Sequence, residues 1–141
     1  MDSLAPKDTA GNEIPANVWE KWGVASRRGY QAVPHDLFRF QAQLQLSNGE
    51  LVTLLNILDF WYRPEKAPFP GVTALAKRMG TDPRSVQRHL KTLEEKGYAT
   101  REPGRAEKRN FRLDGLVKRL GNLVKAELGL ADHAVVVSFS K

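Results

Sequence analysis

The 141-residue sequence contains no cysteine, which removes disulfides, thiolate zinc sites and cysteine nucleophiles at once. No apolar run approaches the roughly 20 residues that a membrane helix needs. The N-terminal stretch MDSLAPKDTAGNEIPAN has no basic segment leading into an apolar one, so it does not read as a secretory signal. Histidine is scarce, and His35, His89 and His133 lack the spacing of metal ligands. The adjacent pair His35-Asp36 reads as a helix cap rather than a catalytic dyad. Neither a P-loop nor a dinucleotide-binding glycine pattern is present. These absences leave no catalytic residue, cofactor, metal site or small-molecule ligand to nominate. A non-enzymatic protein without a membrane partner is expected. The missing thiols suit a reducing compartment, so the expected location is the cytoplasm of a bacterial cell, at the nucleoid or a plasmid.

What is present is positive charge, and it is localised. Lys and Arg number 22 against 16 Asp and Glu, a net +6 with an isoelectric point near 9.8. Between Gly71 and Leu113 stand eleven basic and five acidic residues, so this one block holds the whole excess. Such a footprint favours a polyanionic partner.

The chain divides by pattern. Residues 1–17, rich in Pro, Gly, Asn and Asp, read as a flexible arm. Residues 18–46 form an aromatic-containing extension in which Trp19, Trp22 and Tyr30 should pack on the body or on a second subunit. Residues 47–113 form the main domain. It opens with a capping box, Ser47-Asn48-Gly49-Glu50. The helix that follows carries Leu51, Val52, Leu54, Leu55, Leu58, Trp61 and Tyr62 at helical spacing. Trp61, Tyr62 and Phe69 could be taken for an aromatic cage, but core packing is the simpler reading. Pro64, Pro68 and Pro70 mark a stiff connector. A short helix then runs to Met79, with Val72, Leu75, Ala76 and Met79 on one face. Asp82 and Pro83 open the next helix as N-cap and first residue, and Gly97 closes it. Tyr98-Ala99-Thr100 and Asn110-Phe111-Arg112-Leu113 are strand candidates around the turn Glu102-Pro103-Gly104-Arg105. Residues 114–141 hold a helix capped by Asp114, with Leu116, Val117, Leu120, Leu123, Val124 and Leu128 in register, and the strand-like tail AVVVSFSK.

The central pair of helices carries the chemistry. Ala76 is small where two helices cross, Gly80 permits a positive φ in the turn, and Val86 fills the space between them. This spacing is that of a DNA-binding helix-turn-helix, although an ordinary αα-hairpin shares it. The outward residues tip the balance. With Val86, Leu90 and Leu93 inward, Arg84, Ser85, Gln87, Arg88 and Lys91 face out, with no acid until Glu94. Arginine can bridge guanine O6 and N7, and glutamine adenine N6 and N7. Lys91 suits a phosphate. Arg101, Arg105, Lys108 and Arg109 fall on the hairpin that follows, where they would meet the DNA backbone. His89 borders this face, half-buried or against a phosphate.

The blocks Leu75–Gly80, Ser85–Leu90, Leu93–Tyr98 and Arg109–Leu113 resemble the winged helix-turn-helix family of bacterial regulators and of plasmid and phage replication proteins. The resemblance spans roughly residues 33–113, including Val33-Pro34 and the helix from Leu46 to Tyr62. It implies a mainly α fold with a small β-wing, here with an N-terminal arm and a C-terminal helix added. It also implies a sequence-specific double-stranded DNA-binding protein. Transcription regulation is the leading expectation, and replication initiation or partition of a mobile element is the alternative. An interaction module within a larger assembly is a third reading, opposed by the cationic rather than apolar exposed face. The apolar stripe of the last helix points to a homodimer.

Overall fold

The computed structural model of the protein describes residues 6–60, 71–102 and 110–130. The chain divides into two compact units, Met1–Val33 and Pro34–Lys141.

In the first unit, residues 6–14 close into a turn where the composition suggested a loose arm. The Asp8 carboxylate accepts hydrogen bonds from the backbone N–H groups of Ala10 and Asn12, both at 2.9 Å. Lys7 and Glu13 form an antiparallel bridge, and the Thr9 N–H reaches the Arg27 carbonyl at 2.8 Å. An aspartate that satisfies its own local backbone orders a segment without any hydrophobic periodicity, which is why periodicity did not reveal it. Helix α1 (Ala16–Trp22) runs into a single 3-10 turn, Gly23–Ser26. Ser26 is buried there, with its hydroxyl donating to the Gly23 carbonyl at 2.7 Å. This unit holds the aromatics expected to pack on the body or on a second subunit. Trp19 is half-buried, while Trp22 and Tyr30 are 60% and 53% exposed in the single chain.

The second unit begins at Pro34, earlier than the sequence pattern placed the main domain. Helices α2 (His35–Arg39) and α3 (Gln41–Leu44) bury Leu37, Phe40 and Leu44. Two groups from beyond residue 95 complete the C-terminus of α3. The Tyr98 hydroxyl donates to the Leu44 carbonyl at 2.8 Å, and the Lys96 ammonium donates to the Gln45 carbonyl. Carbonyls at a helix end lack intrahelical partners, so these long-range donors tie the segment into the domain.

Helix α4 (Asn48–Asp59) starts at the expected capping box. Ser47 Oγ accepts from the Glu50 N–H at 3.1 Å, and the Glu50 carboxylate accepts from the Ser47 N–H at 2.9 Å. Its inward face differs from the apolar list read off the sequence. Thr53, Leu54 and Ile57 are buried, whereas Val52 is exposed. Thr53 can be buried because its hydroxyl donates to the Gly49 carbonyl one turn back, at 2.7 Å. Trp61, Tyr62 and the proline connector lie outside the described residues.

Helix α5 (Val72–Met79) buries Leu75 and Ala76, and Gly80 ends it at φ +68°. Helix α6 (Pro83–Glu95) packs against both α4 and α5 through the fully buried Val86, Leu90 and Leu93. Each such side chain contributes about 1.5–3 kcal/mol of apolar burial. Gly97, at φ +77°, turns the chain into strand β1 (Thr100–Glu102). Strand β2 (Asn110–Arg112) pairs with it antiparallel, with Thr100 opposite Arg112 and Glu102 opposite Asn110. Tyr98 and Ala99 are buried just before β1 rather than being part of it.

Helix α7 (Asp114–Leu128) closes the described chain and packs on α2. Leu116 and Leu120 face the core. Asp114 is not its N-cap: Leu113 holds that position, and the Asp114 carboxylate instead accepts from the Arg112 guanidinium at 2.8 and 3.1 Å. A basic residue two positions upstream competes for the carboxylate that would otherwise serve the helix. The C-terminal strand candidate lies outside the described residues.

Candidate nucleic-acid interface

Helix α6 is built with two faces. Its inner residues lock it against α4 and α5, which leaves Arg84, Gln87, Arg88 and Lys91 exposed along the other side. The orientation is set by its start. The Asp82 carboxylate accepts from the Ser85 N–H at 2.8 Å, and Pro83 follows with its φ already suited to a helix. The Ser85 N–H, then the Ser85 hydroxyl and the Arg88 charge, hold the Asp82 carboxyl below its ordinary value, so it is ionised at neutral pH.

Ser85 differs from its neighbours. It is half-buried, and its hydroxyl donates to Asp82 at 3.0 Å while accepting from Arg88 Nη2 at 3.0 Å. The regular spacing of Asp82, Ser85 and Arg88, three residues apart, was visible in the sequence. Helical periodicity marks a cap and two outward positions there, but it does not show that their side chains bond to one another.

The basic residues of α5 behave differently from those of α6. Arg78 is engaged within the domain. Its Nη1 lies 3.1 Å from Asp59 Oδ2 and its guanidinium stacks 4.7 Å from the centre of the Phe60 ring. Lys77 is exposed beside it. His89 lies half-buried over the first turn of α4, and a Cβ on Gly49 would stand 2.6 Å from its Nε2. The missing side chain at Gly49 is what admits the imidazole, a close approach that no periodicity signals.

Of the expected hairpin contacts, Arg101 lies on β1 with its backbone opposite Phe111 of β2. Arg105, Lys108 and Arg109 lie outside the described residues.

Residues 44–99 match the family model described as a helix-turn-helix domain. The chain carries a helix-turn-helix domain. The match covers α4, α5, α6 and the lead into β1, which together are the elements that present the exposed face of α6. Among solved structures, the chain is similar to the N-terminal domain of the DnaD protein from Geobacillus kaustophilus HTA426. The two share 27% identity at a TM-score of 0.57, over 82% of this chain and 98% of that one. The comparison with curated proteins finds no match. The helix-turn-helix with its following hairpin makes the fold winged-helix-like and mainly α. No helix among the described residues is long and apolar enough to cross a membrane.

Proposed function

We propose that this chain is a sequence-specific double-stranded DNA-binding protein without catalytic activity, acting on nucleoid or plasmid DNA in a bacterial cytoplasm. The observation that carries the reading is the two-faced α6 of the helix-turn-helix domain. Its apolar side is locked in the core while Arg84, Gln87, Arg88 and Lys91 stand exposed. Helix α6 enters the major groove, where Arg84, Gln87 and Arg88 meet base edges and Lys91 a phosphate. The hairpin residues Arg101, Arg105, Lys108 and Arg109 lie along the sugar-phosphate backbone.

Transcription regulation is the role that the module type most directly suggests. The likeness to the DnaD N-terminal domain favours a second reading, a part in DNA replication. We further propose a homodimer. Along α7, Val117, Val124 and Leu128 share a second stripe beside the core-facing one, and Val117 and Leu128 are 53% and 64% exposed. A two-fold dimer would present two copies of α6 about one DNA turn apart, or a multiple of it, and select an inverted repeat.

The test is selection of bound duplexes from a random pool, followed by a salt titration on the selected sequence. With about five or six phosphates neutralised, log affinity falls with log salt at a slope of roughly −5. A flat salt response refutes DNA binding. Where the selected motif falls, upstream of transcription units or within a replication origin, separates the two roles.

A further inference from the structure

The first turn of α6 holds an arrangement that capping alone does not require. Asp82 Oδ1 takes the Ser85 N–H at 2.8 Å, and this completes the cap. Asp82 Oδ2 then takes the Ser85 hydroxyl at 3.0 Å, and Ser85 Oγ in turn accepts from Arg88 Nη2 at 3.0 Å. The three side chains form one hydrogen-bonded line along the exposed edge of the helix. Helical side chains lean toward the N-terminus of their helix, so Arg88 is drawn back over the first turn. That is the end of a recognition helix that approaches base edges. The Arg88 charge also contributes to keeping Asp82 ionised, which closes the line electrostatically.

We infer that Asp82 and Ser85 are positioning residues that orient Arg88 for a guanine in the major groove, an inference that rests on the DNA-binding reading above. A free arginine side chain loses considerable rotamer freedom when it docks. Anchoring it beforehand removes part of that cost from the binding step. The geometry leaves the contact available. Ser85 takes one of the five guanidinium N–H donors, and the rest can still pair with O6 and N7. Ser85 itself is not a base contact. Its hydrogen goes to Asp82 and a lone pair to Arg88, so its part is to transmit the orientation set by the cap. The role demands a hydroxyl at residue 85 and an acceptor at residue 82.

The experiment uses the full chain and the selected duplex, with competitor duplexes in which each base pair is changed in turn. Ser85→Ala should lower the preference for one G·C pair on the order of tenfold. It should leave preferences elsewhere and the salt slope unchanged. Ser85→Thr should retain the preference. In an Arg88→Ala background, Ser85→Ala should have no further effect. Asp82→Asn keeps an acceptor for the Ser85 N–H but turns an N–H donor toward Ser85 Oγ, in competition with Arg88. It should reproduce the loss at the same base pair, and so provides the test if Ser85→Ala fails to fold. A uniform loss across all sequences, an unchanged profile, or effects of Ser85→Ala and Arg88→Ala that simply add would overturn the inference. Failure of the DNA reading itself shows separately, as a wild-type chain with no salt-dependent duplex binding.

Discussion

At the scale of single residues, several positions matter for what they lack or hold rather than for what they bury. Gly115, in the first turn of α7, faces the Gly97 carbonyl so closely that any Cβ would run into backbone. Backbone cannot swing aside, so Gly115→Ala should lower the unfolding free energy by about 2–3 kcal/mol in a urea titration. Gly49 offers the contrast. Its missing Cβ faces the His89 ring, a side chain that can rotate. Gly→Ala within a helix is favoured by up to about 1 kcal/mol, and displacing the ring offsets this, so Gly49→Ala should change stability little. Its readout is the environment of His89, which ring chemical shifts would report. Asp82 has a pH signature. Its folded pKa is depressed, so its contribution to stability is present above the unfolded value and is lost as pH falls through the lowered folded value. Asp82→Asn should therefore flatten the acidic limb of a stability–pH profile by removing that contribution at neutral pH, so that variant and wild type converge in acid.

At the scale of elements, the buried and exposed faces of α6 should separate stability from the proposed DNA recognition. Leu90→Ala removes a fully packed contact with α4 and α5 and should cost about 2–5 kcal/mol in denaturant unfolding. The DNA sequence preference of the folded fraction should survive. Arg84→Ala, on the exposed face, should do the reverse, weakening binding by about 1–3 kcal/mol and relaxing one base preference while the thermal midpoint stays in place. The short helix α3 depends on distant donors. Tyr98→Phe removes the 2.8 Å bond to the buried Leu44 carbonyl and should cost about 1–2 kcal/mol, read by the same denaturation. That loss would show that residues 34–45 fold together with the helix-turn-helix rather than as an appendage.

At the scale of the whole molecule, two stripes on α7 assign different fates to similar substitutions. Leu120 is 8% exposed and faces the core, so Leu120→Lys should abolish the cooperative melt seen by circular dichroism. The pair Val117→Lys and Leu128→Lys alters the exposed stripe and should leave that melt intact. If the stripe joins two copies, light scattering should fall from a two-chain to a one-chain mass. A one-chain mass for the wild type would rule out the homodimer. The charge distribution acts at this scale as well: the whole +6 excess lies between Gly71 and Leu113, the segment that contains α6, and under the proposed function it should steer duplex DNA toward that segment.

The residues from Ala76 to Gly97 were legible because local chemistry specifies them. A small residue at a crossing, a glycine at positive φ, an Asp-Pro start and an apolar stripe act within a few residues of each other, so the order of residues determined α5, the turn, α6 and its exposed cations. The capping box at Ser47 was legible for the same reason. Other features depend on partners far along the chain, and only the tertiary structure decided them. Residues 34–45 join the domain because Tyr98 and Lys96 bond to carbonyls about fifty residues upstream. Thr53 replaces Val52 on the inner face of α4 because α5 and α6 cover that side and the Gly49 carbonyl satisfies its hydroxyl. Gly49 and Gly115 are needed because His89 and Gly97 press against them. Sequence determined what is local, since capping, turn geometry and helical period operate over one or two turns. Burial and close approach are properties of the packed chain, so the fold alone decided which apolar residues face inward and which polar groups find partners.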